Sequence, residues 1–327
     1  MPRRLSQSFM DDLVTGSLTF LWERIRQDRT LDLQIRDDYM NIYYRGGNLL
    51  KVQRTDGSYR VSFDLEFMKP ALKMPASLYR RPRLPSDSRV ASDNDIRAWI
   101  VEFPAMKHAM DIYFGEKPAE EREALQRMVR ENNVRSNSDG DYSAADYFIC
   151  DVEYQTTTGK KFDAVAVHWP STSQERQRDT DRKLVIVEGK FGVSALTGSS
   201  GLLEHVQAIC DFASVQGNLN QLKDEMVEVF KQKVDLGLID CGKEIRSFKN
   251  TPPEILVLLA NHDPASTKLR SVLANVQAWV DTLPATKRPE LLFCSASSMG
   301  YRIFDPGVMT MEKLLGSGRV HDPNHRH

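Results

Sequence analysis

The stretch Lys183-Leu184-Val185-Ile186-Val187-Glu188-Gly189-Lys190 decides how this chain is read. Leu184 to Val187 are aliphatic and mostly β-branched, a composition that favours a buried strand. The run then ends in an acid and a base. Residues two apart in a strand face the same side, so Glu188 and Lys190 project together. Gly189 stands between them, where its backbone lets a ligand approach closely. Charge seldom enters an apolar strand unless it is paired or in use.

A second apolar run lies upstream and carries one acid: Phe162-Asp163-Ala164-Val165-Ala166-Val167. Pairing of strands 162–168 and 183–190 brings Asp163 near Glu188. Two ionised carboxylates at close range repel each other unless a proton or a cation intervenes. Hard oxygen ligands on an open site suit Mg²⁺ or Mn²⁺. Such an ion polarises a phosphate oxygen and activates a bound water. A lysine beside it steers that water or neutralises charge on phosphorus. The competing reading is two ordinary charges at a strand mouth. The aliphatic approach, the acid-bearing strand before it and the helical pattern after it favour a site.

The rest of the chain fits around these strands. Residues 8–28 have the apolar spacing of a helix. Residues 31–67 alternate with a period near two and are split by Arg45-Gly46-Gly47 and Thr55-Asp56-Gly57, which predicts an antiparallel β-meander. Residues 69–92 are a Pro-, Arg- and Ser-rich linker with Arg80, Arg81, Arg83 and Arg89. Helices are predicted over 93–114, kinked at Pro104, and over 118–132. Strands follow at 147–154, 162–168 and 183–190. Residues 202–235 form one or two helices broken near Gly217, then come a strand at 254–259, a helix at 264–282, and strands at 289–294 and 301–304. The expected fold class is α/β, a mixed central sheet flanked by helices and preceded by an N-terminal helix and the meander. The expected division is 1–92, 93–315, and a disordered tail at 316–327.

Composition narrows the partners. The chain has 327 residues, 41% hydrophobic and 27% charged, with net charge −1. That balance is usual for a soluble globular protein and gives no overall basic field. No apolar run reaches the roughly 18 residues of a membrane span. The polar N-terminus, Met1-Pro2-Arg3-Arg4, is unlike an export signal, and Cys150, Cys210, Cys241 and Cys294 form no paired motif. A cytoplasmic protein with reduced thiols is expected. No phosphate-cradling glycine loop and no serine nucleophile elbow is present, so nothing supports ATP use or serine hydrolysis.

With Asp163 and Glu188-Gly189-Lys190 in hand, the chain resembles the PD-(D/E)XK nuclease superfamily, the restriction-endonuclease-like fold. The helix–strand–strand–strand–helix–strand order over about 118–260 is similar to its common core. The resemblance covers about half the chain, and Lys161-Phe162-Asp163 lacks the proline that often precedes the first acid. It implies a divalent-metal phosphodiesterase that acts on DNA, less often on RNA. It implies that Asp163, Glu188 and the carbonyl of Gly189 hold the metal and that Lys190 is the catalytic lysine. Members often carry a further acid on the preceding helix. Glu121 is the candidate here, with Asp151 and Glu153 as rivals, and each also reads as a solvated surface acid. Some members place a Gln on the helix after the lysine, which points to Gln207; His205 and Asp211 lie beside it.

The expected function is metal-dependent hydrolysis of DNA phosphodiesters, in restriction, defence or repair. The alternatives are an RNA-directed nuclease and a catalytically inactive binding or scaffold protein on the same fold. The arginine cluster at 80–89, Lys160-Lys161 and the loop Gln174–Arg178 are candidate phosphate contacts, and Tyr39, Tyr43 and Tyr44 candidate stacking surfaces. Each also reads as ordinary surface or sheet packing. Cutting both strands of a duplex needs two sites, which makes a homodimer plausible. His262-Asp263 resembles a metal-binding dyad without partners.

Overall fold

A computed structural model of the chain describes residues 3–75, 77–134, 145–157, 159–262, 266–296 and 308–316. The strand expected at 301–304, the tail and Asp263 lie outside them. Contacts divide the chain into two compact units, Met1–Gln126 with Lys231–Ile239, and Arg127–Phe230 with Asp240–His327.

The first unit opens with helices α1 (Gln7–Val14) and α2 (Thr19–Gln27) in place of one continuous helix. Thr15-Gly16-Ser17 interrupts them, residues whose propensities favour turns over helix. The meander follows as β1 (Leu31–Ile35), β2 (Tyr39–Tyr44), β3 (Gly47–Thr55) and β4 (Ser58–Ser62). The short strand β5 (Arg89–Val90) joins its edge, giving the antiparallel order β1-β2-β3-β4-β5 among the described residues. Arg45 and Gly46 both take positive φ in the first hairpin turn, and Gly57 does so in the second. Helices α3 (Asp93–Val101) and α4 (Phe103–Glu116) are separate because Pro104 has no N–H to continue a helix and begins the next one. Ser92 and Asp95 close a capping box at the start of α3. Helix α5 (Glu120–Asn133) is divided between the units at Gln126.

Within the first unit, the segment Lys231–Ile239 supplies partners that the N-terminal residues lack. The Gln232 side chain accepts from Leu5 N at 2.9 Å and donates to Leu5 O at 2.7 Å. Buried Lys233 donates to Gln34 Oε1 at 2.9 Å, and Gln34 donates to Asp32.

The second unit carries a mixed sheet in the order β11-β10-β9-β8-β7-β6. Its strands are β6 (Tyr147–Gln155), β7 (Lys161–His168), β8 (Lys183–Phe191), β9 (Glu254–Ala260), β10 (Glu290–Ala296) and β11 (Val308–Thr310). β6, β7 and β8 pair antiparallel, then β8, β9 and β10 pair parallel. The parallel step from β8 to β9 needs a long crossover. Helices α7 (Leu202–Ala213) and α8 (Gln216–Asp235) lie in that stretch, and α9 (Thr267–Thr282) stands between β9 and β10. Short helices α6 (Ser173–Arg176) and α10 (Met311–Gly316) complete the described α-helices. β8 and β9 are buried along almost their whole length, as central strands of a helix-covered sheet are. The chain is thus α/β, with one antiparallel and one mixed sheet, and no described helix is long and apolar enough to cross a membrane.

Candidate active site

β8 brings its aliphatic run through the sheet and ends on Glu188, Gly189 and Lys190. Its register with β7 matches Ala164 to Val187. The ladder ends there, one residue short of Asp163 on β7 and of Glu188 on β8. The Asp163 carboxylate takes over from the backbone ladder there: Oδ2 accepts from Gly189 N at 2.8 Å. A side chain bonded to the peptide between Glu188 and Lys190 fixes Asp163 beside both.

The charges are deeply sunk. The Glu188 side chain is 1% exposed and that of Lys190 3%. Lys190 Nζ lies 2.7 Å from Glu188 Oε1 and donates to the carbonyl of Ser200 at 3.0 Å. A third group completes the cluster: His205 Nδ1 sits 2.5 Å from the same Oε1. Lys190 and, when protonated, His205 are within ion-pair reach of this oxygen, yet neither meets the angles of a hydrogen bond, and Oε1 is a buried atom without one. The distance carries the attraction while the alignment is poor. The Glu188 carboxylate raises the His205 imidazole above its ordinary pKa, with burial opposing.

Helix periodicity explains why His205 is the residue that arrives. The buried stripe of α7 is Leu202, Val206, Ile209 and Phe212. His205 lies next to that stripe. Gln207 lies about 200° further round the helix, off that stripe. The signal was present in the sequence: projecting 202–213 on a helical wheel favours His205 over Gln207 for the inner face.

His262 reaches the site from beyond β9. Its Nε2 donates to the Lys190 carbonyl at 3.0 Å, and burial lowers its pKa. Glu121 lies in the first unit, on the first turn of α5; Asp163, Glu188, Gly189, Lys190 and Gln207 lie in the second. Of the rival acids, Asp151 is fully buried and not on an exposed hairpin face. Glu153 has φ of 52°, which turns it out of the regular pleat.

The Asp163 and Glu188 carboxylates are oxygen donors of the kind a hard divalent cation takes, and Glu188 Oε1 is buried without a hydrogen bond. Among the described residues, no three His, Cys, Asp or Glu side chains form a ligand cluster.

Three of the candidate phosphate contacts have internal partners. Arg80 pairs with Glu102 at 2.7 Å. Lys160 donates to Ala208 O at 3.3 Å. Arg176 lies over the rings of Phe148 and Trp169, at 4.6 and 5.4 Å. In the first unit, Tyr43 is buried, Tyr44 donates to Asp111 at 3.0 Å, and Tyr39 lies under Lys51. Comparison with protein-family models, with curated proteins and with solved structures finds no match for this chain.

Proposed function

We propose that the chain is a divalent-cation-dependent nuclease that hydrolyses phosphodiester bonds of DNA, with RNA as the second substrate class. The observation that carries this reading is the Asp163–Gly189 hydrogen bond of 2.8 Å, which joins the acid of β7 to the Glu188-Gly189-Lys190 end of β8. The order α5, β6, β7, β8, α7, α8, β9, interrupted among the described residues only by the short α6 and one 3-10 turn, supports the restriction-endonuclease-like core that these motifs suggest. Asp163, Glu188 and the Gly189 carbonyl would hold Mg²⁺ or Mn²⁺. When bound, the cation supplies Lewis-acid polarisation of a phosphate oxygen and a more acidic water.

The chain's own groups do the rest. The reaction is an in-line displacement in which a water oxygen forms a bond to phosphorus and a bridging P–O bond breaks. Lys190, held by Glu188 and the Ser200 carbonyl, offers fixed positive charge to the oxygens that gain charge as the bonds exchange. Pre-set charge of this kind costs no reorganisation during the reaction.

The burial of Glu188 and Lys190 favours a second reading, a structural ion pair in a binding or scaffold protein. Plasmid, single-stranded DNA and RNA incubated with Mg²⁺, Mn²⁺ or chelator separate the two. Nuclease action predicts cleavage that chelator stops and that Asp163→Ala and Lys190→Ala each reduce at least about a hundredfold. Cleavage that survives both substitutions moves the site elsewhere. Nucleic-acid binding without cleavage under any condition supports the scaffold.

A further inference from the structure

His205 stands where a cation on Glu188 would stand. Its Nδ1 is 2.5 Å from Oε1, the oxygen that Lys190 also approaches. A nitrogen lone pair and a carboxylate oxygen repel at that range, so the ring proton belongs on Nδ1, although the N–H is poorly aligned on Oε1. A protonated nitrogen cannot ligate a metal. In this arrangement Nδ1 is therefore not a ligand atom.

The two groups on Oε1 differ in how firmly they are held. Lys190 is almost fully buried and has a second anchor in the Ser200 carbonyl. His205 is 31% exposed, far less enclosed than Lys190. It sits at the edge of the buried stripe of α7, where a rotation about its side-chain bonds carries the ring to solvent. Of the two, His205 is the one free to leave.

We propose that His205 competes with the divalent cation: its Nδ1–H occupies the Glu188 oxygen that the cation needs, so ion and imidazole exclude each other there. This rests on the reading of Glu188 as a cation ligand. A cation then binds only the fraction of molecules in which the ring has swung away, and its apparent affinity falls by that fraction. The device keeps the buried carboxylate covered by protein donors until an ion arrives.

Mn²⁺ titration without nucleic acid, with free ion followed by electron paramagnetic resonance, tests this directly. The proteins are wild type, His205→Ala, His205→Phe, which keeps a ring but removes the N–H, and Glu188→Gln. Competition predicts about fivefold tighter Mn²⁺ binding in both His205 variants, the scale of one partly exposed ion-pair contact. Loss of binding in Glu188→Gln supports the underlying site. Unchanged affinity in both His205 variants, with Glu188→Gln still defective, overturns the competition and leaves the site standing. Weaker binding in both makes His205 a ligand and also overturns it. Mn²⁺ binding that Glu188→Gln retains, or no binding by any of the four proteins, removes the site and the proposal together.

Discussion

A single hydrogen bond gives Asp163 two separable jobs. Its Oδ2 accepts from Gly189 N, which satisfies a backbone donor at the end of β8. Its charge, beside Glu188, serves the proposed chemistry. Asn keeps an acceptor oxygen but loses the charge, whereas Ala loses both. Asp163→Asn is expected to unfold in denaturant within about 1 kcal/mol of wild type, and Asp163→Ala to lose about 1–3 kcal/mol because the Gly189 N–H is left without its partner. Cleavage is expected to fail in both. If Asn is as destabilising as Ala, the carboxylate charge is also structural, and loss of activity in either variant says little about catalysis.

Among the elements, β8 holds contrasting charge clusters at its two ends. Glu188 and Lys190 stand at the end. At the start, about 20 Å away by strand rise, Lys183 pairs with Glu254 and with Glu290 at 3.1 Å, while His168 lies 3.2 Å from Glu254. Burial alone would raise the Glu254 pKa. Bonds from His168 and Lys183 outweigh it and hold the carboxyl below its ordinary 4.5. A depressed carboxyl stabilises the fold above its unfolded pKa, and that stability is lost as pH falls through the folded value. As pH falls from about 6 into the acid range, wild type is expected to lose more stability than Glu254→Gln. Parallel stability curves for the two proteins across that range would show that Glu254 does not contribute this linkage.

Elements also show what could be read beforehand. The runs at 147–154, 162–168 and 183–190 are strands because their β-branched and aromatic residues have strand composition and turn signals bound them. The break between α3 and α4 follows from Pro104, as a kink there suggested. The split of α1 from α2 was missed because flanking apolar spacing continues through Thr15-Gly16-Ser17. β5 has two residues, too few for any periodicity, and exists only because β4 offers an edge. At the site, strand alternation makes Glu188 and Lys190 legible together. His205 was legible only through the stripe of α7, and its contact with Glu188 depends on how α7 packs, which no local pattern states.

At the scale of the whole molecule, neither unit is one continuous stretch of chain. The first unit needs Lys231–Ile239 for the partners of Leu5 and Gln34. A fragment of residues 1–126 lacks Gln232 and Lys233, so buried polar groups around β1 and the N-terminus lose their bonds. That fragment is expected to give a poorly dispersed amide NMR spectrum. A well-dispersed spectrum would show that the meander and helices α1–α4 fold without the returning segment.

The same discontinuity orders events during synthesis. Translation runs from the N-terminus, and domains fold as their residues emerge. The ribosome must deliver β6, β7 and β8, with Asp163, Glu188 and Lys190 on them, before Gln232 and Lys233 exist. The nascent chain therefore holds every proposed catalytic side chain while its first-made unit still waits for its last segment.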